Sequence, residues 1–434
     1  MTEGKTKGRG SLLSDFLIHI HPRTVPAETL RFSLSLGLGG MALTLLCVLF
    51  FTGLFQLLMY TPGTDAAYRS IQLMYTEIPL GGWVRNIHFW AGNLLVIVAA
   101  LHLLRVFLTG ALTGGRQLNW IVGLVLLFLV LFANFSGYLL PWDQLAYWAV
   151  TIFTGMFEYI PFVGTWLMHL LRGGETVGAF TLANFYAIHV GIIPFCFVIF
   201  CVWHFWLVRK AGGLVRKVQT DHNERSERVP VVPDLLSREA AVGFGLIGIL
   251  LLFSSVFDAP LDDPANPAMS PNPAKAAWYF LGLQELLMHL HPVIVICVIP
   301  LLCLIVLVLL PYMGGTVLPA AQWFGGTGGS FKLLGGLGCG TAMTFFLVFL
   351  DDRLIHTAGS QQGGGDIWFR GIIPLLLFTF FLFVVHQVLL RRGKMSHPQV
   401  VLVLAGIVTG IILSLTAIGI WFRGPGMQLV LPFG

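Results

Sequence analysis

Long apolar stretches alternate with short polar ones along the whole chain. A helix needs roughly 20 residues to cross the hydrocarbon core of a bilayer. Stretches of about that length occur at residues 33–60, 81–108, 119–140, 181–208, 240–257, 289–311, 333–350, 371–391 and 398–422. The pattern therefore predicts an all-α integral membrane protein with nine spans, which are numbered span 1 to span 9 in chain order.

Two other stretches show how the chain is organised. Residues 144–171 are apolar but are interrupted by Glu158, Pro161 and His169, which favours a helical hairpin at the membrane surface over further spans. The polar stretch 216–239 separates four spans from five. We therefore expect a four-helix bundle at 1–215, a cytoplasmic linker at 216–239 and a second membrane domain at 240–434 with about five further helices.

Basic and acidic residues fall in different sets of loops. One set contains the N-terminal residues and the loops 109–118, 209–239, 312–332 and 392–397, and it holds most of the lysines and arginines. Cytoplasmic loops are enriched in these residues, so we expect a cytoplasmic N-terminus in a bacterial inner membrane. The basic residues include Lys5, Lys7, Arg9, Arg116, Lys217 and Arg238, and the acidic residues opposite include Asp65, Glu77, Asp143, Glu175, Asp258 and Asp366.

The composition supports this interpretation and narrows the chemistry. The chain is 56% hydrophobic and 10% charged, and its net charge of +5 is too small to indicate nucleic-acid binding. Six cysteines lie in apolar stretches without CxxC or CxxCH spacing. This excludes the usual motifs for c-type haem attachment, structural zinc and thiolate-held iron–sulfur clusters.

Spans 2 and 4 each carry two histidines at nearly equal spacing. His88 and His102 are 14 residues apart, and His189 and His204 are 15 apart. Four helical turns take about 14.4 residues and rise roughly 21–22 Å, so each pair lies on one face at two depths. This suits two six-coordinate haems, each held by one histidine from each span. The alternative for any single histidine is a structural hydrogen bond.

Glycines and arginines share this spacing. Glycines on spans 1 and 3 are also 14 residues apart, and a porphyrin edge requires a close approach to backbone that glycine permits. Close helix packing is the alternative explanation. Arg85 and Arg105 lie one turn from His88 and His102, where each could pair with haem propionates or extend to the membrane interface. The glycines are Gly39 and Gly53 on span 1 and Gly123 and Gly137 on span 3.

The first half resembles cytochrome b of the quinol–cytochrome c reductase (bc) complexes, most closely the shorter form in photosynthetic cytochrome bf. The similarity runs from about residue 25 to residue 210 and includes GGWVRNIHFW, HLLRVFLTG, GYLLPWDQLAYWA and LLRGGETVG. The stretch PNPAKAAWYFLGLQELL at 271–287 resembles the family's C-terminal part more weakly. Five spans after the linker exceed the family's usual three or four, which suggests an added contact for a partner subunit.

The resemblance implies two non-covalent b-type haems. His88 and His189 would hold the low-potential haem near the outer face, and His102 and His204 the high-potential haem near the cytoplasm. In the bf branch a cysteine on span 1 carries a further haem through a thioether. Gly37 occupies the matching position, so no covalent third haem is expected.

The resemblance also implies quinone chemistry within a larger assembly. The family oxidises quinol at an outer site, passes one electron to an iron–sulfur partner and sends the other across both haems to an inner quinone site. A c-type cytochrome and a dimeric, multi-subunit complex are the further expected partners. The outer-site residues would be Pro141, Trp142, Asp143, Trp278 and Tyr279; Arg209, at the cytoplasmic end of span 4, is a candidate for the inner site or for a lipid contact.

One departure from the family leaves the mechanism open. The family has Pro-Glu before the Trp-Tyr pair, whereas this chain has Ala276 and Ala277. The missing carboxylate is the group thought to accept a quinol proton. Glu285, about two helical turns further on, and Asp143 are candidates for that role, although Glu285 suits an interfacial charge or a helix contact equally well.

Three functions are therefore considered. The first is the diheme subunit of a proton-translocating quinol:cytochrome c (or similar acceptor) oxidoreductase. The second is a single-site, non-bifurcating diheme relay between quinone and a multihaem or iron–sulfur partner. The third is a proton-coupled transporter, which predicts repeated halves with broken helices that the sequence lacks.

Overall fold

A computed structural model describes residues 23–215, 227–315, 317–358 and 366–431, with only the backbone described for 354–358. Within these ranges nine helices are long and apolar enough to cross a membrane, as predicted. Lys5, Lys7, Arg9 and Lys217, which contributed to the predicted orientation, lie outside the described residues. The spans are Leu38–Leu57, Gly81–Leu108, Gln117–Tyr138, Ala179–Lys210, Val231–Val256, Ile294–Tyr312, Gly329–Arg353, Trp368–Arg391 and His397–Trp421.

The connections contain short helices and one small sheet. The predicted hairpin forms two helices, Gln144–Gly155 and Gly164–Arg172. Other short helices are Ala67–Thr76 and Leu281–His289. The strands Thr24–Pro26 and Arg228–Pro230 pair antiparallel, which joins the chain before span 1 to the chain before span 5.

Spans 1 to 4 pack around one buried core to which span 5 also contributes. Leu45, Ala91, Val130, Phe197 and Leu250, one from each of these spans, belong to the same apolar cluster. Span 2 is tied to the end of span 5 by polar contacts as well, since the Trp90 indole donates to the Phe257 carbonyl at 2.8 Å. The bundle is therefore supported by the first helix of the second half.

Three spans contain a π-helical turn that is followed by proline two residues beyond its end. Proline has no N–H to donate, and its ring displaces the carbonyl four residues earlier. The preceding turn widens and takes up one extra residue. The turns are Ile188–Ile192, Ile294–Val298 and Trp368–Ile372, and the prolines are Pro194, Pro300 and Pro374.

Span 9 packs closely against span 7. A side-chain carbon at Gly336 would lie 2.2 Å from the Val403 carbonyl oxygen, and one at Gly406 would lie 2.3 Å from that of Leu333. The backbones of the two spans can approach this closely only because glycine has no side-chain carbon. Span 8 is packed less closely than span 9, because none of the residues in its most apolar part is buried.

Candidate functional site

His88 and His189 face each other between spans 2 and 4. Their ring centres are 6.3 Å apart, with an angle of 73° between the ring planes. Two imidazoles that bind one metal ion from opposite sides have centres roughly 6 Å apart, because each metal–nitrogen bond is about 2 Å long. The spacing therefore fits two axial ligands of one haem iron.

Hydroxyl groups orient these two imidazoles. Nδ1 of His88 lies 2.9 Å from Oγ1 of Thr52, and Nδ1 of His189 lies 3.0 Å from Oγ of Ser136. Each hydroxyl donates to a backbone carbonyl of its own helix, at 2.7 and 3.1 Å, so its oxygen accepts from Nδ1–H. That tautomer leaves Nε2 of both histidines free to bind a metal.

His102 and His204 form the second predicted pair. Among the described residues, neither buried Nδ1 atom has a hydrogen-bond partner. The two histidine pairs therefore differ in what supports the imidazoles.

The π-turn in span 4 explains why the two histidine spacings differ by one residue. His189 lies within the turn Ile188–Ile192. Because a π-turn takes up one extra residue, 15 residues on span 4 complete the same number of turns as 14 on span 2. Pro194, which causes the turn, thereby keeps His189 and His204 on one face of the helix.

The four predicted glycines each lie against one histidine ring. The close approach predicted for a porphyrin edge is made to the histidine rings, because the glycines of spans 1 and 3 face the histidines of spans 2 and 4. If each glycine carried a side-chain carbon, the distance from that carbon to Cε1 of the facing imidazole would be as follows: 3.3 Å between Gly39 and His102, 3.3 Å between Gly53 and His88, 3.8 Å between Gly123 and His204, and 2.7 Å between Gly137 and His189.

The two predicted arginines are both buried, but they differ in how many of their N–H groups have a hydrogen-bond acceptor. Arg85 donates to the Tyr75 hydroxyl at 2.7 Å and to the carbonyls of Ala259 and Pro260 at 2.8 and 2.7 Å. Nε of Arg105 donates to a backbone carbonyl at 2.9 Å, and its Nη2 is buried without a partner in the described part of the chain. Arg105 therefore retains a donor for a carboxylate such as a haem propionate.

An apolar cavity lies at the end of the bundle that contains His88 and His189. Span 3, the first hairpin helix, and the loop and helix around Leu281–His289 enclose it; we call this last helix the cavity helix. The lining residues include no carboxylate, and their polar side chains are those of Tyr138 and Gln284. They are Phe135, Tyr138, Ala149, Ile152, Phe153, Met156, Ala276, Ala277, Phe280, Leu283, Gln284 and Leu287.

The residues predicted for the outer quinone site surround this cavity without lining it. Tyr279 carries a buried hydroxyl that has no partner among the described residues. The Trp278 indole donates to Oδ1 of Asn93 at 2.7 Å, which ties the loop to span 2. Pro141 precedes the buried Trp142, whose ring packs against that of Tyr147.

Asp143 begins the first hairpin helix. Its carboxylate accepts from the backbone amides of Ala146 and Asp262, at 2.9 and 3.2 Å. Burial raises the pKa of this carboxyl above its ordinary value, although the two amides oppose the shift. Asp143 therefore serves as a helix cap and remains a candidate proton acceptor near the cavity.

The structure places two other predicted residues away from the cavity. Glu285 is almost fully buried, on the side of the cavity helix that also carries His289, and its carboxylate is paired with Arg423. Arg209 is exposed at the end of span 4, near the His102 level. Tyr138 and Gln284, which sequence reasoning missed, line the cavity instead. Tyr138 directly follows Gly137, which contacts His189, and that adjacency was the available signal.

A helical membrane bundle with two matched pairs of histidines between its spans is typical of a haem-binding membrane cytochrome. Residues 26–212 match the family model "Cytochrome b/b6/petB". Cytochrome b6 of Acaryochloris marina is 41% identical over 175 residues, which cover 40% of this chain and 81% of that protein. Cytochrome b6 of Synechococcus elongatus is 39% identical over 175 residues, which again cover 40% of this chain and 81% of that protein. The chain belongs to the cytochrome b family.

A solved structure extends the similarity in fold to the second half. A chain described as "Hyperthermophilic respiratory Complex III" superposes with a TM-score of 0.66 at 23% identity. The match covers 95% of this chain and 97% of that chain. The predicted all-α membrane fold is thus confirmed over nearly the whole length.

Proposed function

We propose that this chain is the diheme b-type cytochrome subunit of a membrane quinol oxidoreductase. Its family is that of the bc and b6f-type quinol oxidoreductases. Electrons would pass between an outer and an inner quinone site across two bis-histidine haems, coupled to proton release outside and proton uptake inside. The observation that carries the proposal is the 6.3 Å separation between the His88 and His189 rings.

The residues present fit two non-covalent haems. His88 and His189 would hold the outer one, and His102 and His204 the inner one, roughly 21 Å apart along the helices. A haem bound in this way supplies reversible one-electron transfer. Support for the inner pair comes from Arg105, whose unpartnered Nη2 suits a propionate.

The protein's own side chains would prepare each site. Thr52 and Ser136 hold the outer imidazoles in the tautomer whose Nε2 can bind iron. The glycines of spans 1 and 3 have no side chain and therefore leave room for the imidazole rings between the helices.

The apolar cavity is the proposed outer quinone site. Its lining of aromatic and aliphatic side chains suits a quinone ring, and the Tyr138 hydroxyl offers a hydrogen bond. The cavity measures about 30 Å³, so its walls would have to move apart to admit the ring. Asp143, with its raised pKa, and the unpartnered hydroxyl of Tyr279 are the proposed proton-handling groups nearby. The proposed inner site lies near Arg209, at the level of His102 and His204.

This function requires partners, because the chain carries no motif for an electron acceptor outside its haem sites. We propose an iron–sulfur protein, a c-type cytochrome or both as further subunits of a dimeric complex in a bacterial inner membrane. The N-terminus would lie in the cytoplasm. The similarity in fold to a chain of a respiratory Complex III supports such an assembly.

A single-site relay without bifurcation is the second candidate function. The cavity favours it, because Ala276 and Ala277 stand at its wall and no carboxylate lines it. Without a fast proton acceptor, quinol oxidation loses an element of the bifurcating mechanism. Membership of the cytochrome b family disfavours the proton-coupled transporter.

Filling the cavity tests the proposed site. The Ala277→Trp variant should stop haem reduction by a short-chain quinol, while a chemical reductant still reduces both haems. Ala268→Trp, in an exposed loop, is the matched control and should behave as wild type. Unchanged quinol-driven reduction in Ala277→Trp would rule out this cavity.

The same preparation separates the two candidate functions. With the inner site inhibited, a pulse of oxidant should cause additional haem b reduction if quinol oxidation is bifurcated. A single-site relay shows only haem oxidation after the pulse.

A further inference from the structure

Five ionisable side chains behind the cavity helix are linked by four ion pairs, and the peptide bond between two consecutive aspartates closes them into a ring. Two belong to that helix, two are consecutive residues at the end of span 7, and one follows span 9. We call this set the charge ring. Its members are Glu285, His289, Asp351, Asp352 and Arg423.

Arg423 and Glu285 are the buried centre of the ring. Both side chains have no exposed surface, and Nη2 of Arg423 lies 2.5 Å from Oε1 of Glu285. Nε of Arg423 donates to Oε2 at 3.0 Å, so the two groups meet through two parallel contacts. Two-point contact of this kind fixes the orientation of both groups as well as the distance between them.

His289 bridges two carboxylates. Its Nε2 lies 3.1 Å from Oε1 of Glu285, and its Nδ1 lies 2.6 Å from Oδ2 of Asp351. Ionised carboxylates only accept, so a protonated imidazole satisfies both contacts. Nη2 of Arg423 lies 3.4 Å from the same Nε2, and its positive charge opposes that protonation. Burial lowers the pKa of His289, but the bonds to Asp351 and Glu285 outweigh it and hold the pKa above its ordinary value.

The segment after span 9 closes the ring and also holds the loop before the cavity helix. Nη1 of Arg423 lies 3.1 Å from Oδ1 of Asp352. Lys275 donates from Nζ to the Ile420 carbonyl at 3.0 Å, and the Gly426 amide donates to Oδ1 of Asn272. The end of span 9 and the segment after it therefore contact the loop before the cavity helix at two points, and Arg423 contacts the helix itself through Glu285.

The cavity helix has one face in the cavity and another in the charge ring. Leu283, Gln284 and Leu287 line the cavity. Glu285 and His289, one turn apart from each other, point to the ring. A shift of the ring would thus rotate or translate the wall of the cavity.

We propose that the charge ring positions the cavity helix for quinone binding and loosens it when His289 loses its proton. The inference rests on the proposed quinone site. It assigns the C-terminal span and the segment after it an internal role, because they anchor the wall of that site.

The direction of the pH effect follows from the charges. The stabilisation by protonated His289 is complete below its ordinary pKa of 6.5 and is lost as the pH rises through the higher folded value. Burial raises the pKa of Glu285, but bonds from His289 and Arg423 lower it below 4.5 overall, so its contribution is lost only in acid. The ring is thus complete below the raised pKa of His289 and opens as the pH rises above it.

Other charged groups near the ring do not replace this switch. Burial lowers the pKa of the Lys275 ammonium, and its electrostatic interaction with Glu285 opposes that shift. Arg353, next to Asp352, is exposed and has contacts of its own. His291 uses Nδ1 to accept from the Val293 amide, at 3.3 Å.

The test compares His289→Gln and His291→Gln in the purified complex. Glutamine at 289 carries no charge at any pH, so the KM for a short-chain quinol should rise roughly tenfold and lose its dependence on pH above 6.5. Amide hydrogen exchange across residues 271–289 should become faster in this variant. His291→Gln, outside the ring, should match wild type in both measurements.

A second variant decides the question if His289→Gln does not assemble. Asp351 is 37% exposed, so Asp351→Asn removes a charge from the rim of the ring with little effect on folding. Loss of this carboxylate lowers the pKa of His289, so the rise in KM should begin at lower pH than in wild type. An unchanged pH profile in Asp351→Asn overturns the inference, as do wild-type KM and exchange in a haem-replete His289→Gln complex.

The two proposals can fail separately. If quinol does not reduce the haems of the wild-type complex, the proposed function fails, and hydrogen exchange still reports whether the ring holds the helix. If quinol reduces them and Ala277→Trp prevents it, wild-type behaviour of His289→Gln defeats only the role of the ring.

Discussion

The histidines of the proposed outer haem site lie against small neighbouring residues. Thr52 and Ser136 direct the Nδ1 atoms of the outer pair, and the glycine that follows each of them leaves space for an imidazole. In each pair, the hydroxyl accepts a hydrogen bond from the imidazole, and the glycine leaves space for the imidazole ring. The tightest of these contacts is between Gly137 and His189, where a side-chain carbon would lie 2.7 Å from the ring.

This close contact predicts the result of adding a single methyl group. Gly137→Ala should displace His189 and reduce the haem content from two per polypeptide towards one, because contacts below about 3 Å cannot be accommodated in a packed interior. Gly123→Ala is the matched control, since its carbon would lie an ordinary 3.8 Å from His204. Haem assay of the purified variants checks this, and full haem content in Gly137→Ala would contradict the proposed geometry.

Single residues were predictable from sequence where a regular helix relates them. The 14-residue spacing of histidines and glycines predicts their shared faces, and the structure brings each glycine to a histidine. Glu285 was less predictable, because its direction is determined by Arg423, which is 138 residues away in the chain. Tyr138 and Gln284 line the cavity through the packing of distant helices, which has no local signal in the sequence.

Among the helices, span 4 shows how one proline adjusts a binding site. Its π-turn, Ile188–Ile192, contains His189 and precedes Pro194. The extra residue in this turn makes the 15-residue spacing equivalent to the 14-residue spacing on span 2. The spacing was readable from the sequence, but the proline that accommodates it was recognised only in the structure.

Removing this proline should change the helix register. Pro194→Ala restores an N–H donor to the turn and permits a regular α-helix, which rotates His189 by about 100° relative to His204. The outer haem should then be lost while the inner haem remains. Pro374→Ala, at the equivalent turn of span 8, is the control because that span carries no predicted haem ligand.

Optical spectra of the two proline variants distinguish the outcomes. The b-type α-band of Pro194→Ala should fall to about half of the wild-type amplitude for equal protein, as expected for one of two haems lost. A full α-band with unchanged axial ligation would show that tertiary packing, and not Pro194, determines the turn.

For the molecule as a whole, the two halves have different roles. Spans 1 to 4 carry the histidine pairs, and the matched family model ends at residue 212. The second half supplies the cavity helix and, behind it, the charge ring. Hydropathy predicted nine spans, but the α-helix of span 5 begins at Leu236 and not at 240, because the polar residues 237–239 extend it beyond the apolar stretch.

The central claim is that one polypeptide holds two bis-histidine haems at two depths of the membrane. A redox titration of the purified complex, followed in the haem b α-band together with a haem assay, tests it most directly. The account predicts two haems per polypeptide that titrate as two separate one-electron components. A single component with one haem per polypeptide, or the absence of a b-type α-band, would contradict it.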